Sequence, residues 1–218
     1  MSSKRNIRSG QQRTLIAQTA ARFMAEHGIR DFYLAKNKAL ESMGITRNTP
    51  NMPRNVEVEE ALAEHQRLFQ ADSQPLALAR LRRVAAEALV FMADFQPRLV
   101  GPVLSGVAGA DSVVNLHLFA DTPEDVLVFL LDHGIPHDTE QRRLRFSDSG
   151  AQDYPMYRFD ADGVTVELTI FGRNGLRQAP LSPVDGRPMR RAGLAEVRAL
   201  LQLESADTMV AQPTSVPR

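Results

Sequence analysis

Three polar side chains lie on two alternating stretches of the chain and are of the types that hold cations or move protons: Asn115, His117 and Glu167. Side chains of a strand alternate between its faces. In residues 112–119, Val114, Leu116 and Leu118 therefore share one face, while Val113, Asn115, His117 and Phe119 share the other. In residues 163–171, Val164, Val166, Leu168 and Ile170 lie together, opposite Thr165, Glu167, Thr169 and Phe171. If both aliphatic faces pack on helices, the three polar residues look out from one open face of a sheet, where a ligand could lie. Glu167 supplies anionic oxygen, and His117 could act as a general base or a metal ligand. Each has a plainer reading. A lone strand histidine commonly fills a hydrogen-bonding role, and Glu167 could pair with an arginine of a neighbouring strand such as Arg158. Burying that carboxylate unpaired would cost several kcal/mol or force it neutral.

Other segments carry groups suited to anions. The small-residue loop 105–111 could approach a phosphate through its backbone N–H groups, with Ser105 and Gly106 as candidates. Arg173 and Arg177 are candidates for phosphate contact, alongside Arg187, Arg190 and Arg191, and a solvated basic loop is the competing reading. No Gly-Lys-Ser/Thr follows the loop, so it is not a P-loop. His133 and His137 have a spacing of four, but Gly134 and Pro136 break the helix that would align them.

The elements that must position these residues fall in two kinds. After a polar leader of nine residues, Leu15, Ile16, Thr19, Ala20, Phe23 and Met24 mark one face of a helix that stops at Gly28. A second helix over 31–43 follows, then a loop with Pro50 and Pro53 over 46–55. Helical spacing continues over 56–69 and 75–95, and Pro97 ends it. The period then changes to two, predicting strands over 98–104, 112–119, 142–148, 154–160 and 163–171. A helix opens at Thr122 and stops at Gly134, and another spans 192–203. The expected architecture is α+β: a basic helical hairpin and loop over 1–56, long helices over 57–95, a small mixed-sheet α/β domain over 96–203, and a disordered tail over 204–218.

The absence of cysteine excludes disulfides, thiolate nucleophiles and Cys-ligated zinc. No apolar run is long enough to cross a bilayer and the basic N-terminus lacks a secretory pattern, so no membrane role and a cytoplasmic location are expected. Net charge is zero, but residues 1–56 hold ten Lys/Arg against three Asp/Glu, a balance of +7. That region could meet nucleic acid by counterion release, or simply dock on acidic surface. A nucleotide or a protein is the other expected partner.

The order helix, strand, Ser105-Gly106 turn, strand with Asn115-Leu116-His117-Leu118-Phe119, helix and late strand with Glu167 resembles the nucleotidyltransferase superfamily over residues 75–203. The resemblance implies a turn that cradles nucleotide phosphates and an Asp-x-Asp or Asp-x-Glu strand. It also implies a third carboxylate, at Glu167, which would complete a site for two magnesium ions. This chain departs from that pattern at the decisive positions. The acidic pair falls on Val113 and Asn115, or on Asn115 and His117, and neither register supplies a carboxylate. The expectation is a retained fold with degenerate catalysis, acting in binding or regulation. The alternatives are an active enzyme with altered ligands, using Mg2+ and a nucleotide through Glu167 and His117, or a nucleic-acid-associated regulator.

Overall fold

The computed structural model describes residues 2–210, in two compact units. The first takes in the described residues up to 74, with 109–112 and 182–187. It is built on helices α1 (Ser2–His27), α2 (Phe32–Ser42) and α3 (Asn55–Phe69). The polar leader, expected ahead of the first helix, is part of it: α1 is helical from Ser2, with no proline before Gly28. Asp31 caps α2, its Oδ1 accepting the Leu34 N–H at 2.6 Å. Ile16, Ala17, Ala20 and Ala21 of α1 are buried with Ala35, Ala39 and Leu40 of α2 and with Val58 and Leu62 of α3. The alanines let helix axes approach closely. Leu15, placed on the buried stripe by its spacing, is 52% exposed: the stripe is rotated toward the small residues.

The second unit holds residues 75–108, 113–181 and 188 onward. The boundary thus falls after Gln74, which groups α3 with the first two helices rather than with the long helix leading into the sheet. That helix, α4 (Gln74–Phe91), precedes β1 (Arg98–Val100), the single turn α5 (Pro102–Ser105) and β2 (Val114–Ala120). There follow α6 (Pro123–Asp132), β3 (Asp138–Phe146), β4 (Gly150–Ala161), β5 (Val164–Gly172) and α7 (Leu194–Val210). The first expected strand, 98–104, is cut short at Val100. Gly101, at φ 75°, turns the chain, and Pro102 starts a helical turn whose φ it already satisfies. The helix expected to end at residue 203 continues to Val210, and the rest of the expected disordered tail, 211–218, lies outside the described residues.

The five strands form one mixed sheet in the order β1-β2-β5-β4-β3. Only β2 and β5 run parallel; all other neighbours are antiparallel. The β4–β5 hairpin turns tightly at Asp162 and Gly163, both with positive φ. One face carries the core: Leu99, Val114, Leu116, Leu118, Val166, Leu168 and Ile170 pack with Leu81, Val84, Ala85 and Leu89 of α4, Val126 and Leu130 of α6, and Val197 of α7. At roughly 25 cal/mol per Å² of apolar surface removed from water, this aliphatic layer is the main term fixing the strand register. With the aliphatic set turned inward, the opposite face must present the polar set.

Candidate functional site: an arginine-filled polar face

The parallel register aligns Asn115 with Glu167, His117 with Thr169 and Phe119 with Phe171. All three sequence-derived candidates, Asn115, His117 and Glu167, therefore share one face, as their alternation requires. That face is not open. His117 and Glu167 are each 2% exposed and Thr169 is fully buried.

Arginines close it. Arg158 of β4 stands directly across from Glu167 and donates to Oε1 from Nη2 at 3.0 Å and from Nε at 3.3 Å. Arg142 of β3 reaches over β4 to donate to Glu167 Oε2 and, through Nη1, to Asn115 Oδ1 at 2.8 Å. Arg158 is itself shared with Glu140, Nη1 to Oε1 at 2.6 Å. A buried carboxylate without such partners would take up a proton. Two guanidinium groups keep it anionic and occupy its oxygens.

His117 is held in a different way. Arg191 donates from Nε to His117 Nδ1 at 3.2 Å, which makes Nδ1 the acceptor and leaves the ring proton on Nε2. Its guanidinium lies over the rings of Phe119 and Phe171, 5.0 and 5.3 Å from their centroids, and Nη1 donates to the Gly175 carbonyl at 2.8 Å. Burial, reinforced by the positive charges of Arg191 and Arg142, pushes His117 down to about 3. A neutral imidazole whose acceptor nitrogen is already engaged is poorly placed to serve as a general base or a metal ligand.

The remaining candidates lie elsewhere. Ser105 is exposed at the end of α5, and Gly106, at φ 98°, sits beside the buried Arg82, which donates to the carbonyls of Val103 and Leu104. The glycine next to Asn115 is Gly101, where an added Cβ would lie 3.8 Å from Asn115 Nδ2. Arg173 and Arg177 are exposed beyond the far end of β5, which closes at Gly172, about 16 Å along the strand from Glu167. Arg173 is engaged by Asp121, Nε to Oδ1 at 2.6 Å. They do not join Asn115, His117 and Glu167.

No family model matches the chain, and no curated protein matches it.

The metal implied by the nucleotidyltransferase resemblance can be tested against the donors. Among the described residues no three His, Asp or Glu side chains come together to hold an ion. Of the acids on the polar face, Glu167 is already bonded to two arginines and Glu140 to Arg158, and Asp111 is grouped with the helical unit, packed at Gly28. Magnesium needs several anionic or neutral oxygens around it, so this donor set does not fit. Arg142 was missed from the sequence, and Arg191, a candidate for phosphate contact, was not connected with His117, because their segments are remote in the chain. The only signal for Arg142 was the cluster of three arginines within β3.

The helical unit keeps part of its basic charge neutralised. Arg13 forks onto Glu57, Nε to Oε1 at 2.8 Å and Nη2 to Oε2 at 2.6 Å, and Arg47 pairs with Glu41. No described helix is long and apolar enough to cross a membrane.

Proposed function

We propose that the chain is a nucleotidyltransferase-like protein whose two-metal catalysis has been lost and which serves as a binding or regulatory domain. Support for the fold reading comes from the strand, turn, strand, helix and late-strand order, with the late strand parallel to β2. Asn115, which falls at one of the two strand-carboxylate positions in either register, lies side by side with Glu167, which resembles the third carboxylate. The observation that carries the loss of catalysis is the double occupation of Glu167 by Arg142 and Arg158. Positive side chains stand where the family places positive ions, so a further divalent cation would meet repulsion rather than a ligand shell. Arg142 also donates to Asn115, so the two positions are bonded through one guanidinium.

The test is calorimetric titration of the full chain with each nucleoside triphosphate, with and without magnesium, coupled to an assay for released pyrophosphate. The expected result is no magnesium-dependent binding and no release. Tight, metal-dependent binding with pyrophosphate release would establish the active alternative with altered ligands.

A further inference from the structure

Four arginines reach the polar face of the sheet, and they divide into two pairs. Arg142 and Arg158 share Glu167. Arg98 and Arg191 have no carboxylate among the described residues. Arg98 donates only to backbone carbonyls beside it, to Pro97 at 2.9 Å and Gln96 at 3.2 Å. Arg191 donates to His117 and to the carbonyls of Gly175 and Leu176.

The backbone brings these two cations together. Leu99 and Ala192 form an antiparallel bridge through N–H···O bonds of 2.8 and 2.9 Å, both side chains fully buried on the aliphatic side. Their chain neighbours Arg98 and Arg191 must then turn to the polar face. Arg98 stands in register with His117, and Arg191 crosses to His117 from the other side of β1. The proximity is felt electrostatically: burial first, then the charge of Arg98, brings Arg191 down to about 10.

Two polar atoms of this corner are buried without a hydrogen-bond partner: Nη2 of Arg191 and Oγ1 of Thr169, the residue in register with His117. An unpaired buried N–H of a guanidinium carries a desolvation penalty that an anionic acceptor would offset. With the His117 proton on Nε2, the corner presents donors and two positive charges and no acid.

We propose that Arg98, His117, Thr169 and Arg191 form a binding site for a phosphoryl oxyanion, either inorganic phosphate or the terminal phosphate of an ester. Arg98 is the half-buried, solvent-side member, and its carbonyl contacts are the ones an incoming anion would replace. The site does not depend on the nucleotidyltransferase reading: His117 falls at a carboxylate position of that family in one of the two registers, but Arg98, Thr169 and Arg191 lie outside its turn and its carboxylate positions.

The full chain is titrated with inorganic phosphate and, separately, with glycerol 3-phosphate by calorimetry, at ionic strength held constant with chloride. Saturable binding of inorganic phosphate is expected, weakened about tenfold or more in Arg98→Gln and in Arg191→Gln, as loss of a charge-assisted hydrogen bond requires. Arg177→Gln is expected to leave it unchanged. Binding of glycerol 3-phosphate with the same Arg98 dependence would identify an ester-accepting site, and binding of inorganic phosphate alone a closed one. Arg98→Gln guards against misfolding in the Arg191 variant, since Arg98 holds only carbonyls of its own segment. Absence of saturable phosphate binding, or equal binding in wild type and Arg98→Gln, overturns the proposal.

Discussion

Asn115 and Glu167 face each other across the parallel β2–β5 pair and are joined by a single guanidinium, that of Arg142. The bridge joins β3 to β5 and β2 across the intervening β4, so its loss is felt by two polar groups at once. Arg142→Met is expected to destabilise the chain by about 2–4 kcal/mol, removing one of the two arginines bonded to Glu167 and the donor to Asn115 Oδ1. Arg143→Met on the same strand removes only an exposed pair with Asp153 and is expected to cost less than about 1 kcal/mol. Urea midpoints of the two variants decide the matter; equal shifts would show that the Arg142 bridge is merely superficial.

A second expectation concerns acid. His117 falls from 6.5 to about 3 on folding, so between those values the unfolded chain binds a proton that the native chain refuses. The stability contributed by neutral His117 is complete above pH 6.5 and drains away as pH falls toward 3, at up to about 1.4 kcal/mol per pH unit. The facing charges, Arg191 and Arg142, are positive throughout this range and cannot compensate. His117→Gln should flatten the dependence of the urea midpoint on pH between 6.5 and 4. An unchanged slope would mean the imidazole is protonated in the native state.

Gly175 offers a steric check on the same corner. A Cβ there would lie 2.9 Å from Phe171 Cβ, a buried neighbour that cannot yield without moving β5. Gly175→Ala is expected to lower stability by about 1–3 kcal/mol and to displace the carbonyl that holds Arg191. Thermal unfolding measures the first effect, and a ring-nitrogen NMR shift at His117 reports the second.

In the helical unit, Glu57 is pulled down to about 2, chiefly by its hydrogen bond with Arg13 and further by the Arg54 backbone N–H. Its contribution is therefore present above the ordinary carboxylate range and lost as pH falls through it toward 2. Glu57→Ala removes both the ion pair and the acceptor that closes the first turn of α3, at an expected cost of about 1 kcal/mol near neutral pH. Urea unfolding at pH 7 and pH 3 should show the variant's deficit shrinking in acid.

The parts of this structure that were readable from sequence are those governed by local periodicity. Alternation in β2 and β5 placed Asn115, His117 and Glu167 on a common face, and the helix punctuation at Gly28, Thr122 and Gly134 marks real element ends. Arg158 was within reach of the same logic, because a hairpin puts it beside Glu167. Arg142 and Arg191 were not, since one reaches over an intervening strand and the other arrives by a bridge between residues 99 and 192. What filled the face could not be inferred from the alternation that created it. The shortening of β1 has a local cause, Gly101-Pro102, which an apolar run of Val and Leu around it concealed. The helical leader was hidden because polar residues without a breaker are compatible with helix as well as coil.

The claim on which the functional account turns is that arginines stand in the place of divalent cations at Glu167. Manganese, a paramagnetic stand-in for magnesium, can be counted directly by titrating the full chain and following free ion by electron paramagnetic resonance. The account predicts no saturable site coupled to Glu167, with the same titration curve for wild type and Glu167→Gln. A stoichiometric site displaced by magnesium and abolished in Glu167→Gln would contradict it.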